Sequence, residues 1–326
     1  MADLKYAEAV RAALRDEMRA DSGVVLFGEE IGKLGGVFTV TQGLQAEFGE
    51  DRVLDAPISE AAMIGWAVGA ATEGLKPVVE IMFMDFVTVA MDQIVNAASK
   101  LAFMSGYQYQ VPLVVRMPYG GGTYHGPQHS QSLETWFAHV PGLAVYCPST
   151  SSDAYWLLRL AIQNPEPVIF LESKALYFNE SGPISERPDD RQALKCRLVR
   201  KGSHVTVVTS GRMVSRCEAA AATLSSSGIE CEILDVRSLW PLDMETIAES
   251  VERTGKLAIV HEAVEFCGWG SEVAAWIAQN RMFHLDGPVT RIGSARSPIG
   301  FSKVLEDATI PTVERIEATI SDLAAF

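Results

Sequence analysis

Apolar residues along this chain follow two rhythms in alternation. Tyr6, Val10, Leu14 and Met18 recur at every fourth position, the spacing of one helical face, so an amphipathic helix is predicted at the start. "GVVLFGEE" is a short continuous apolar run and reads as a buried strand, followed by the Gly-rich loop "GKLGGVF". Residues 53–56, "VLDA", read as another strand, and the stretch from Glu60 to Gly74 has helical length. "KPVVEIMF" returns as a strand, and "DFVTVAMDQIVNAASKLAFM" predicts a helix with Ala90, Ile94, Ala97 and Leu101 on one face. "VPLVVRMP" is a strand leading into "YGGGTYHGPQHSQS", which is too rich in Gly and polar residues for regular structure. "LAVYCP", the helix "SSDAYWLLRLAIQN" and "PVIFLES" complete the alternation. Continuous apolar strands separated by helices predict an α/β fold with a parallel sheet covered on both faces.

Residues 180–196, "ESGPISERPDDRQALKC", break the pattern with Pro, Gly and clustered charge. A second alternation follows, through "HVTVVTSG", "IECEILDVRSL", "KLAIVHEAV" and "PVTRIGSA", with helical stretches between them. Two domains are therefore expected, 1–185 and a smaller α/β domain at 201–326, joined by a linker at 186–200. A length of 326 residues fits that number at roughly 150 residues per domain.

Composition changes the picture little. With 48% hydrophobic and 21% charged residues, the chain can bury a sizeable core. A net charge of -14 and the lack of a long Lys/Arg run argue against nucleic acid as a partner. No apolar run reaches the ~18 residues of a spanning helix, so no membrane role is expected. The five cysteines form no C-x-x-C pair and read as reduced thiols, which with the acidic first helix suggests a soluble cytoplasmic protein.

Candidate chemistry begins with weak signals. "GWGSEV" follows a strand and opens a helix like a dinucleotide fingerprint, but Val273 stands where the third Gly belongs. A tight strand-to-helix turn is the better reading. His125, His129 and His139 invite a metal site, yet Gly126 and Pro127 remove the helix that would align the first pair. His129 beside Ser130 and Ser132 lacks a nucleophile elbow. A polar, Gly-rich loop after a parallel strand is nevertheless where α/β sheets place ligands. Glu60 has an ordinary explanation, since Ser59 can cap the following helix and an acid in the first turn gains ~0.3–1 kcal/mol from the helix dipole.

Longer blocks alter those odds. "LFGEEIGKLGGVFTVTQGL", "RVLDAPISEAAMIGWAVGAATEGLKPVVEIMFMDF", "GPQHSQSLETWFAHVPGLAVYCPST", "DVRSLWPLD" and "LEDATIPTVERI" resemble, in order, the β subunits of thiamine-diphosphate-dependent 2-oxo acid dehydrogenases. Pyruvate, branched-chain 2-oxo acid and acetoin dehydrogenases belong to that group. The resemblance implies a pyrimidine-binding domain, a transketolase-type C-terminal domain, and an assembly of two α and two β chains sharing thiamine diphosphate. It implies that Glu60 bonds the cofactor's pyrimidine ring, that Phe86 lies against that ring, and that His129 faces the substrate and an incoming lipoyl arm. Glu29 matches an acid near the same pocket, although the family more often has Asp where this chain has Glu30. Leu113, Ala161, Ile162 and Asn164 match a potassium site made largely of carbonyl groups.

On that reading the protein generates and orients the reactive cofactor. The pyrimidine ring needs a carboxyl partner able to hold a proton near neutrality, and burial favours this more strongly than a helix terminus opposes it. His129, of a residue type that titrates near pH 6.5, suits proton transfer as the acyl group passes to a lipoyl acyltransferase. No "GDG" followed by a distant Asn is found, so magnesium and the diphosphate are expected on the α subunit, and this chain is expected to be inactive without it. An acetoin dehydrogenase β subunit, a self-sufficient transketolase-like enzyme and a non-catalytic α/β scaffold are the competing readings.

Overall fold

The computed structural model describes residues 3–326. They form two compact units, one from the residues up to Tyr119 with Trp136–Ala193, the other from Gly120–Thr135 with Leu194–Phe326.

In the first unit, strands β1 (Val24–Gly28), β2 (Val53–Asp55), β3 (Lys76–Glu80), β4 (Val114–Tyr119), β5 (Ala144–Tyr146) and β6 (Val168–Ser173) lie in the order β5-β6-β4-β3-β1-β2. Every neighbouring pair is parallel. Parallel neighbours require crossover connections, which the intervening helices supply. The first helix, Tyr6–Ala20, buries Tyr6, Val10, Leu14 and Met18 as its spacing predicts. It lies against helix Ser151–Gln163, where Arg159 Nε meets Glu17 Oε1 at 2.6 Å and Tyr155 donates to Asp16.

Two sequence expectations need correction here. The helical run after β3 is not uniform, because Val87–Asp92 and Ser99–Met104 flank a π-helical stretch, Gln93–Ala98. A π turn holds more residues than an α turn and rotates the following face. Ala90 and Ile94 are buried as expected, but Ala98 and Ser99 take the inward positions predicted for Ala97 and Leu101.

The strands also are not wholly apolar. Arg116 of β4 is 1% exposed between Glu80 of β3 and Glu172 of β6. It donates to Glu80 at 2.7 Å and forms a two-pronged pair with Glu172 at 2.6 and 2.7 Å. Tyr177 donates to the same Glu172 oxygen at 2.6 Å. Buried charge survives only when paired and hydrogen-bonded, and the three adjacent strands bring these partners together.

In the second unit, β7 (Arg197–Arg200), β8 (Val205–Thr209), β9 (Cys231–Asp235), β10 (Leu257–Val264) and β11 (Thr290–Ser294) lie in the order β11-β10-β8-β9-β7. Only β7 runs antiparallel to its neighbour. Val205, Val207, Ile233 and Val260 pack with Cys217 and Leu224 of helix Met213–Ser226 and with Ile316 and Ile320 of helix Val313–Ala324. No helix among the described residues is long and apolar enough to cross a membrane, and all five cysteines are free.

Candidate functional site

The acidic residues singled out above lie just beyond the carboxyl ends of neighbouring strands, where ligands bind in parallel α/β sheets. Glu29 follows β1, and Glu60 opens helix Glu60–Thr72 after β2. Both are buried, at 6% and 7% exposure. Burial raises the Glu29 carboxyl above its ordinary range, and the charges of Glu60, Glu30 and Glu80 push it in the same direction. Glu29 Oε1 is buried with no hydrogen-bond partner. An unpartnered buried acid that favours its proton, next to a second acid, suits a heterocycle carrying donor and acceptor nitrogens. The residues present therefore fit a pyrimidine ring.

Ser59 occupies the N-cap position of helix Glu60–Thr72, but its side chain makes no capping bond, contrary to expectation. Its ψ of 69° departs from the extended backbone that aims a cap hydroxyl at the first turn. Phe86, in the turn Met84–Phe86 after β3, is half-buried and meets Phe83 edge-on at 6.1 Å. Phe83 in turn packs against Phe38 at 5.6 Å and carries the Lys174 ammonium over its ring at 5.2 Å. An aromatic wall thus stands beyond β3, of the kind that flanks a flat ring.

His129 belongs to the second unit. It is half-buried, and its N–H donates to the Gly126 carbonyl at 3.3 Å, closing a turn across Pro127. The residues after it are polar and inward-facing. Among the described residues, the Ser130, Ser132 and Thr135 hydroxyls and one Glu134 oxygen are buried without a hydrogen-bond partner. Burial, with Glu262 nearby, pushes the Glu134 carboxyl up to about 7. A cavity of about 450 Å³ opens beside this segment, bounded by Pro127, Gln131, Ser132, Glu262, Arg296 and Ile299. Sequence reasoning passed over Glu134 because a glutamate at a helix start looks ordinary. Its place within a polar segment just after His129 was the available signal.

The carbonyl-site residues fall at two places in the first unit. Ala161, Ile162 and Asn164 lie at the end of helix Ser151–Gln163, where the Ala161 carbonyl accepts the Asn164 N–H at 3.2 Å. Leu113 precedes β4, and its carbonyl accepts from Val168 at 2.9 Å. Among the described residues, no three His, Cys, Asp or Glu side chains cluster as a metal site would require. The "GWGSEV" turn is a packing device, since a Cβ at Gly268 or Gly270 would stand 2.5 or 2.9 Å from the buried His261 ring.

Residues 2–179 match the family described as the transketolase pyrimidine-binding domain, and residues 194–316 match the transketolase C-terminal domain. The 2-oxoisovalerate dehydrogenase subunit beta of Pseudomonas aeruginosa is 42% identical over 327 residues, covering 95% of this chain and 92% of that protein. The mitochondrial pyruvate dehydrogenase E1 component subunit beta-2 of Oryza sativa subsp. japonica is 42% identical, covering 96% and 84%. The acetoin:2,6-dichlorophenolindophenol oxidoreductase subunit beta of Cupriavidus necator is also 42% identical, covering 95% and 94%. Among solved structures, a split-gene transketolase described as an inactive β4 tetramer superposes with a TM-score of 0.80 at 20% identity, covering 99% of this chain and 98% of that one, a likeness of fold. Two adjoining buried acids beyond parallel strands, in a chain matched along its length by these relatives, place it in the transketolase-like family of 2-oxo acid and acetoin dehydrogenase β subunits.

Proposed function

We propose that this chain is the β subunit of a thiamine-diphosphate-dependent dehydrogenase that decarboxylates a 2-oxo acid and passes the acyl group to a lipoyl acyltransferase. The observation that carries this reading is the pair of adjoining buried carboxyls, Glu29 and Glu60, in the domain matched to pyrimidine binding. Bound thiamine diphosphate supplies the carbanion chemistry by which carbon dioxide leaves the substrate.

In this scheme Glu60 hydrogen-bonds the pyrimidine ring nitrogen, and Glu29 adds a second carboxyl to the same pocket. Phe86 bounds the ring on one side and keeps water away from it. His129 donates or accepts the proton that accompanies acyl transfer. A partner α subunit contributes magnesium and the diphosphate-binding half in an assembly of two α and two β chains. Ile58, exposed at 83% two residues before Glu60, and the exposed Phe103, Met104, Tyr107 and Tyr109 offer apolar surface suited to such a partner. Potassium held by carbonyls near Leu113, Ala161, Ile162 and Asn164 would brace the helix end. Acetoin as the substrate is the second reading, favoured by a relative of that class matching as well as the others do.

The test is to co-purify the chain with its α partner and compare pyruvate, 2-oxoisovalerate and acetoin. Glu60→Gln should leave the assembly intact and lower decarboxylation by about 10²–10⁴-fold, the range for losing a positioned acid or base. Unchanged turnover with any of the three substrates would favour a non-catalytic scaffold.

A further inference from the structure

The loop Gly120–Gly122 carries three consecutive glycines ahead of His129. Such runs commonly turn successive backbone N–H groups to one side and cradle a phosphate or other anion. Here two carboxylates of the chain itself occupy that cradle. Glu262, in β10, accepts the Gly121 N–H at 2.5 Å through one oxygen and Arg212 Nε at 2.9 Å through the other. Glu306, in helix Lys303–Thr309, accepts the Gly122 N–H through one oxygen and the Tyr124 N–H at 3.2 Å through the other. Both carboxylates are buried, at 6% and 2% exposure.

The glycines are required because these acids press directly on the backbone. A Cβ at Gly120 would stand 2.8 Å from a Glu262 oxygen, and one at Gly121 would stand 3.0 Å from the Glu306 carboxyl carbon. At the base of the loop the Gly120 N–H donates to the Gln131 carbonyl at 3.0 Å, so His129 lies on a segment fastened at both ends. All of these groups belong to the second unit.

We propose that Glu262 and Glu306 are positioning residues that hold this loop, and His129 with it, in the geometry for acyl transfer. The proposal rests on the role given to His129 under the proposed function. In this role both acids act on the loop backbone. Each acts by taking main-chain N–H groups that would otherwise turn to water and let the loop rearrange.

The test uses the assembled αβ enzyme with Glu306→Ala and the isosteric Glu306→Gln, which keeps only one acceptor oxygen. Hydrogen–deuterium exchange over residues 119–130 should quicken by about 10–100-fold in Glu306→Ala, as expected on losing hydrogen bonds to a charged acceptor, with a smaller change in Glu306→Gln. Acyl transfer to a lipoyl domain should fall chiefly in kcat, while decarboxylation read with an artificial electron acceptor changes much less. The loss should not add to that of His129→Ala. If Glu306→Ala fails to assemble, exchange and transfer in Glu306→Gln decide the matter. Unchanged exchange, or a loss that adds fully to His129→Ala, would overturn the proposal. If His129→Ala itself leaves transfer unaltered, the role given to His129 fails, whereas the exchange data still report on the clamp.

Discussion

Single residues here show how little local sequence reveals about a group's surroundings. Glu60 starts a helix as any acid might, yet it is buried and its charge reaches a second buried acid. Gly126 reads as one more loop glycine, but it has φ of +76° and a Cβ there would stand 2.3 Å from the Phe301 ring. Gly126→Ala should therefore cost about 1–3 kcal/mol, combining positive-φ strain with overpacking. Adding Phe301→Ala should recover the overpacking part and leave the strain. Urea unfolding of the single and double variants measures both, and strictly additive losses would contradict the contact.

Among the elements, the first helix follows its pattern, and the run after β3 departs from its own. The π stretch at Gln93–Ala98 shifts the buried face by one residue, something a fixed 3.6-residue period cannot anticipate. The strands were read as apolar runs, yet β3, β4 and β6 share the buried Glu80–Arg116–Glu172 group. Arg116→Met removes the cation and leaves two buried carboxylates without it. A stability loss of about 3–5 kcal/mol is expected, the usual result of breaking a buried pair from one side. A midpoint in urea close to that of the unaltered chain would show that the carboxylates relax to water instead.

For the whole molecule, pH should act through opposing buried groups. Glu134 keeps its proton up to about 7 when folded but loses it near 4.5 when unfolded, so its contribution falls as pH rises between those values. His261, fully buried in β10, is lowered by burial to about 4 from 6.5, so its contribution falls as pH drops through that range. Between pH 4.5 and 6.5 the two slopes oppose each other. Glu134→Gln removes this carboxyl's opposing slope, and stability should then rise by about 2 kcal/mol across that window relative to the unaltered chain. Urea unfolding at a series of pH values checks this, and parallel curves would refute it.

Periodicity and ordered blocks in the sequence were enough to set out the alternating strands and helices, the two α/β halves and the family. They also marked Glu60, Glu29, Phe86 and His129 as residues to examine, since short-range spacing and motif identity are written along the chain itself. Only the tertiary structure decided that the glycine-rich loop is held by Glu262 and Glu306, that Arg116 sits between two acids, and that Glu134 is buried. The contacts that hold the loop join residues 141 and 184 positions apart, and such pairings leave no periodic mark in the sequence. A carboxylate's role depends on which donors and which other charges the folded chain brings to it, and folding alone sets those distances.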